Sequence, residues 1–305
     1  MDKIQENLLA EIADLHGVPE GAYNIRSNGV SGQRNCTANI DIETKNDKSG
    51  IDIYIRPGTK NESVHIPVIL DKNGLKEKVY NDFHIGEGAD VVIVAGCGIH
   101  CGGADDMQHD GIHTFYVEKN ARVKYIEKHY GEGDGNGKRV LNPETVIYLA
   151  EGAYMEMEAT QIKGVDSTVR VTKAKVGDNA KLVIHEKIMT HGNQLAKTDF
   201  IVDLDGENSA ANVVSRSVAK DNSKQIFISN IRGNNKCSGH TECDAIIMDN
   251  ANVSAIPEIV AGNVDASLIH EAAIGKIAGE QLVKLMTLGL TEKQAEEQIV
   301  SGFLR

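Results

Sequence analysis

Apolar residues return at every second position along most of this chain. Thr114-Phe115-Tyr116-Val117 precedes Asn120-Ala121 and Val123-Lys124-Tyr125-Ile126 follows it. Thr145-Val146-Ile147-Tyr148-Leu149 and Tyr154-Met155-Glu156-Met157 flank Gly152-Ala153 in the same way. A period of two predicts strands rather than helices. The pattern continues with Thr168-Val169-Arg170-Val171 before Leu182-Val183-Ile184, Phe200-Ile201-Val202 before Asn212-Val213-Val214, and Ile246-Ile247-Met248 before Val253-Ser254-Ala255-Ile256. Each unit therefore reads strand, tight turn, strand.

The turns share a pair that ends in Ala. They are Gly88-Ala89, Asn120-Ala121, Gly152-Ala153, Asn179-Ala180, Ser209-Ala210, Asn250-Ala251 and Asp265-Ala266, with Ala-to-Ala steps of 32, 32, 27, 30, 41 and 15. Asn and Gly tolerate positive φ, and the Ala after them packs where a larger side chain would clash between stacked coils. A stacked coil, the parallel β-helix, and an antiparallel sandwich both fit alternating strands. The regular return near thirty residues favours the coil, because each unit then covers the apolar face of its neighbour. A sandwich would place turn signals about every 8–12 residues with no longer period. The absence of Trp, the 4% aromatic content and the 30 Gly suit a core of stacked Val, Ile and Ala.

The ends depart from this pattern. Residues 3–15 place Ile4, Leu8, Leu9, Ile12 and Leu15 on one face and predict an amphipathic helix stopped by Gly17 and Pro19. Glu280 to Leu288 and Thr291 to Val300 predict two short helices, with Thr291-Glu292-Lys293-Gln294 as a capping box and Gly289 between them. The expected organisation is an N-terminal helical segment over 1–20, a coil over 21–277 and a helical tail over 278–305. Leu282, Leu285, Met286, Ile299 and Phe303 make the tail apolar enough to pack on the last coil or to receive a partner.

A net charge of −12 argues against binding the phosphate backbone of a nucleic acid. No signal peptide or membrane-spanning run is visible, so a cytoplasmic protein is expected. The run from Gly131 to Lys138 is glycine-rich, but Glu132 and Arg139 stand where a phosphate loop needs Gly and Ser or Thr. It reads as a surface loop, and no nucleotide site is expected on the chain itself.

Five cysteines in an intracellular-looking chain suggest thiols or metal ligands rather than disulfides. Cys36 stands alone. Cys97, His100, Cys101, His109 and His113 crowd together with acids in one short stretch, a donor set suited to zinc or iron. Strand-like flanks argue against one helix carrying both His109 and His113. Cys97 and His129 are separated by the local coil step, the same as from Ala89 to Ala121, so these two are expected on neighbouring rungs. A second constellation comprises Cys237, His240, Glu242 and Cys243, followed one coil later by His270 and Glu271. The intervals from Cys243 to Glu271 and from His240 to His270 are both close enough to a coil period for stacking. Strand alternation sends His270 and Glu271 to opposite faces, so only one of them can share a face with a given Cys.

The run from Ser215 through Phe303 closely resembles the core of the SufB/SufD family of iron–sulfur cluster assembly proteins. The resemblance is carried by Cys237-Ser238-Gly239-His240-Thr241-Glu242-Cys243-Asp244, by Ile256-Pro257-Glu258-Ile259, by Ile269-His270-Glu271-Ala272-Ala273-Ile274-Gly275-Lys276-Ile277 and by Gln281 to Gly302. It implies a right-handed parallel β-helix and a scaffold, not an enzyme, on which a transient iron–sulfur cluster is built. It also implies a partner ATPase of the SufC type docked on the tail from Gln281 onward, and apo-proteins as recipients. By the same likeness Cys243 is the scaffold cysteine and Glu271 the essential acid, which makes Glu271 rather than His270 the residue expected to share a face with Cys243. The chain is shorter than bacterial SufB and resembles a compact form in which two copies replace the SufB–SufD pair. The Cys97 and Cys101 region has no counterpart in the longer scaffolds, and iron or zinc there is a separate expectation. A metal-dependent enzyme using the Cys97–His113 region and a purely structural adaptor are the alternatives.

Overall fold

The structure, a computed structural model, describes residues 2–304. After α1 (Lys3–Ala13) come two antiparallel hairpins, β1 (Ala22–Ser27) with β2 (Val30–Asn35) and β3 (Ile40–Thr44) with β4 (Gly50–Ile55). There follow β5 (Lys60–Leu70), β6 (Lys76–Ile85), β7 (Asp90–His100), β8 (Met107–Val117), β9 (Arg122–Glu132), the short β10 (Arg139–Leu141) and β11 (Glu144–Leu149), and β12 (Tyr154–Lys163). The series continues with β13 (Ser167–Val176), β14 (Lys181–Thr190), β15 (Leu195–Leu204), β16 (Ser209–Ala219), β17 (Lys224–Gly233), β18 (Cys237–Ile247), β19 (Asn252–Ala261) and β20 (Ala266–Gly275). Helices α2 (Gly279–Thr287) and α3 (Glu292–Phe303) come last.

The strands alternate between two sheets. The first is ordered β2-β1-β5-β7-β9-β12-β14-β16-β18-β20 and the second β19-β17-β15-β13-β10-β8-β6-β4-β3, with β11 also between β8 and β13. From β5 onward every pairing is parallel, so the chain winds as a parallel β-helix of about 8 turns and about 29 residues per turn, two strands to a coil. The coil predicted from periodicity is the fold. The antiparallel start was not read from the sequence, although Asn28-Gly29, at φ 48° and 86°, supplies the positive-φ pair that a two-residue hairpin requires.

One corner of the coil explains the Ala repeat. Gly88, Asn120, Gly152, Asn179 and Asn208 all take φ between 54° and 68°. The next residue closes each turn by donating its N–H to the carbonyl three residues back, as Ala121 does to Glu118 at 3.1 Å and Ser209 to Gly206 at 3.3 Å. Ser209, not Ala210, therefore holds the small-residue place, and the column continues through Cys237 to Ala266. Asn250-Ala251 lies at a different corner, ahead of a strand of the second sheet, which produces the irregular steps of 41 and 15.

Helix α1 is shorter than predicted. Its Asp2 side chain accepts from the Gln5 N–H at 3.0 Å, and the helix ends on Asp14 in the left-handed conformation, before Gly17 is reached. Leu8, Leu9 and Ile12 are buried against the first sheet, where a Cβ at Gly96 would lie 2.8 Å from the backbone oxygens of Ile12 and Lys128. The missing side chain is what admits the helix. Helix α3 has the predicted capping box and lays Val300 and Leu304 against Val218, with Met189, Ile246 and Met248 alongside. The two ends of the coil differ: hairpin strands β2 and β3 end the sheets on one side, whereas β19 and β20 are bare edge strands on the other.

Candidate metal centre

Strand β18 alternates strictly. Cys237, Gly239, Thr241, Cys243 and Ala245 turn inward, and Ser238, His240, Glu242 and Asp244 face out. Pairing with β20 sets Thr241 beside His270, Glu242 beside Glu271 and Cys243 beside Ala272. The coil step here carries Cys243 to Ala272 and so overshoots Glu271 by a single position. A one-residue offset inverts the face, so the expected pairing of Cys243 with Glu271 is corrected: within one chain they point to opposite sides of the sheet. The expected stacking of His240 on His270 fails for the same reason, because His240 pairs with Ile269.

The outer side gathers a different set. Ligand atoms of His240, Glu242 and Glu271 all lie within 4.8 Å of one another, the only group of three such side chains to do so among the described residues. His240 Nε2 is 3.4 Å from Glu271 Oε2, and its Nδ1 is 2.9 Å from Asn212 Oδ1 one rung below. With the amide oxygen accepting, Nδ1 carries the proton and Nε2 presents its lone pair toward the two carboxyls. The Glu242 carboxyl is pushed up by burial and by hydrogen bonding to the neighbouring Asp244. A cation here would relieve that crowding of negative charge. One imidazole and two carboxylates suit a divalent iron or zinc ion.

The inner side carries the sulfur. Burial, with the charges of Glu186 and Asp244 added, pushes the Cys243 thiol up to about 12, and burial also raises Cys237. Both are thiols at neutral pH and become thiolates only when a metal displaces the proton. His270 shares their side, with Nδ1 2.6 Å from Thr241 Oγ1 and a buried Nε2 that has no partner.

The first cysteine region divides into three. His100 faces outward to Glu132 at 3.2 Å. Cys101 lies roughly 13 Å along the chain from Cys97; both belong to an apolar cluster with Met107, Leu141 and Val165, and the Cys101 thiol points to the backbone carbonyls of Gly103 and Asp105 rather than to a histidine. His100 and Cys101 therefore leave the candidate cluster. Cys97 and His129 are register partners as predicted, and with His109 and His113 they line a narrow cavity of about 10 Å³, room for one water. The ring nitrogens are largely engaged: His109 Nδ1 with Glu77 at 2.9 Å, His113 Nδ1 with Tyr125 at 2.7 Å and His129 Nδ1 with Arg170 at 3.1 Å. They do not bring three ligand atoms together as the outer triad does.

Sequence reasoning missed the buried charges between these regions. Arg170 bonds Glu127, stands 3.5 Å from Glu186 and links both to Ser215, whose hydroxyl donates to Glu186 at 2.8 Å; Ser215 is the register partner of Cys243. Glu127 and Glu186 stand two coils apart on one inward column, with Ala159 on the rung between them. That double coil step was the available signal.

In the tail, Leu282, Leu285, Ile299 and Phe303 are half-buried and Met286 is exposed, while α2 buries no residue. An apolar helix face thus remains open beside the last coil. No helix is long and apolar enough to cross a membrane among the described residues.

The chain is thus a parallel β-helix with thiols inside its last complete rungs and a His–Glu–Glu set outside. The SUF system FeS cluster assembly SufBD core domain model matches residues 78–303. Iron-sulfur cluster assembly SufBD family proteins are similar to this chain in Archaeoglobus fulgidus (32% identity over 85% of this chain and 69% of the relative), Methanocaldococcus jannaschii (33%, over 62% and 60%) and Methanothermobacter thermautotrophicus (27%, over 86% and 64%). The chain belongs to the SufBD family of iron–sulfur cluster assembly proteins. The matched part covers between 60 and 69% of those relatives' lengths.

Proposed function

We propose that this chain is the scaffold of a SUF-type assembly complex, a cytoplasmic protein that builds a transient iron–sulfur cluster and passes it to apo-proteins. The observation that carries the reading is the His240–Glu242–Glu271 triad on the strand pair that also holds Cys243. Iron is the cargo. Imidazole and carboxylate hold it less tightly than thiolates would, which suits a site that must release what it builds.

Because Cys243 and Glu271 face apart in one chain, a cluster using both needs a second copy at the open last coil. Two chains meeting at the bare edges β19 and β20 with their coils offset, so that the inner face of one copy meets the outer face of the other, would bring sulfur and oxygen donors of different copies to one junction. A SufC-type ATPase seated on the open face of α2, with its paired subunits moving against each other, would open and close that junction as a two-state element. No residue on the chain is assigned to catalysis. The Cys97 chamber is left without iron or zinc.

Anaerobic reconstitution with iron(II) and sulfide tests the reading, followed by absorbance and Mössbauer spectra of the wild type, Cys243→Ala and Glu271→Ala. The wild type is expected to form a cluster and both variants to lose it. Undiminished cluster in both variants would refute the scaffold assignment.

A further inference from the structure

On the outer face of the first sheet, a cavity of about 400 Å³ runs from β12 to β18 and ends at the triad, with Glu242 lining both. The volume is that of a small-molecule site. Its charges are divided. Glu156 and Glu158 form one wall, tied at 3.6 and 2.7 Å to Lys124. Lys187 and Arg216 form the other.

Arg216 is the anomaly on this face. It is the register partner of Asp244, yet it makes no ion pair within 4 Å and no hydrogen bond among the described residues; its charge is felt at Glu242 on the same lining, and its buried Nε has no acceptor. Several other cations on this face and its rim are engaged: Lys124 with Glu158, Lys128 with Asp14, Lys119 with Glu151, and Arg122 over the Tyr154 ring. A half-buried guanidinium with an orphaned N–H is a seat for a carboxylate, which it binds by a charge-assisted fork. The acidic wall opposite suits an ammonium group and disfavours a polyanion. Beside this cavity the triad offers only nitrogen and oxygen, since both nearby thiols turn inward.

We propose that the cavity binds a free thiol amino acid, L-cysteine or a close analogue, with its carboxylate on Arg216, its ammonium toward Glu156 and Glu158, and its sulfur reaching iron at the triad. The ligand supplies the soft donor that the outer face lacks. On coordination the sulfur binds as a thiolate and its proton leaves to buffer; no electrons are transferred. The sulfur contact rests on the iron site proposed above, whereas the amino-acid site does not.

Calorimetry on the metal-free protein under anaerobic conditions tests the amino-acid site directly. L-Cysteine and L-serine are expected to bind the wild type, and R216Q to weaken both by about tenfold or more, the loss of one charge-assisted hydrogen-bonded contact. No binding to the wild type, or equal binding to R216Q, overturns the proposal. Cobalt(II) then stands in for iron. With cobalt loaded, L-cysteine is expected to raise a sulfur-to-cobalt charge-transfer band in the near ultraviolet that L-serine does not raise, and H240A to lose cobalt while keeping the amino acid. Absence of the band from cobalt-loaded protein overturns the sulfur contact. If the wild type holds no cobalt but R216Q still weakens amino-acid binding, the iron reading falls and the amino-acid site stands.

Discussion

Arg170 is the largest side chain shut inside the coil, 2% exposed between Glu127 and Glu186. Burial works against every charge in this set, yet Arg170, His129 and His113 hold the Glu127 carboxyl far below its ordinary range, while at Glu186 burial wins and raises it. Removing the one cation leaves carboxyls without a counter-charge. Arg170→Met should cost about 3–5 kcal/mol of stability, the penalty for breaking a buried ionic set. The urea midpoint at neutral pH measures it, and adding Glu127→Gln should recover part of the loss. The histidines add a pH dependence. Burial lowers His113 to about 4 and His129 to about 3, against 6.5 when exposed. A lowered histidine pKa means that the unfolded chain takes up protons first. The stability is fully present above pH 6.5 and is lost as pH falls through about 4 for His113 and about 3 for His129. For His113 that loss is roughly 3 kcal/mol. Glu127, also lowered, adds to the same acid-side loss. Urea midpoints measured from pH 7 down to 4 should therefore drop, and His113→Gln should flatten the slope.

At the scale of elements, α1 and the first sheet depend on a pair of outward glycines. At Gly98 a Cβ would sit 3.1–3.4 Å from Leu8 and Ile12, and at Gly96 it would strike backbone. Gly96→Val should lift α1 from the sheet at a cost of about 1–3 kcal/mol, as overpacking does. Hydrogen exchange should then speed up in α1 while β14 to β18 stay protected; unchanged exchange in α1 would contradict the contact. The elements were largely legible beforehand, because alternation fixes strands and the corner pairs fix where each coil begins. Faces were harder. In the first sheet the step from Asp90 to Arg122 is repeated without change from Arg122 to Tyr154. The later steps, to Lys181, Ala210, Ser238 and Ser267, are all shorter and differ among themselves. Cys97 and His129 lie where the step is uniform, so their pairing was predictable. Cys243 and Glu271 lie where corners absorb one residue more or less, and with a side-chain period of two a single residue decides inside from outside. At β13 the phase deceived as well: Val169 is 39% exposed while Thr168, Arg170 and Thr172 are buried, because the interior there is polar.

Over the whole molecule the asymmetry of the two ends carries the argument for a dimer. Ile231 and Ile259 are register partners that both turn into the coil, yet Ile231 is 2% exposed and Ile259 42%. Ile274 on β20, also inward by the pattern, is 39% exposed. Among the described residues nothing covers the last coil, where the β-helix presents two edge strands and the cross-section of its own core. A second copy meeting it end to end covers both edges and buries these isoleucines. Lys at position 259 would put a charge in that junction without disturbing the folded chain, since the side chain is already open to water. Ile259→Lys is therefore expected to sediment as a monomer at concentrations where the wild type is a dimer, to unfold at nearly the same urea concentration once the dimer's contribution is allowed for, and to yield little cluster on reconstitution. A wild type that sediments as a monomer yet assembles the same cluster would show that one chain suffices, and that the route from the inward thiols to the outward triad lies through movement of β20 rather than through a partner copy.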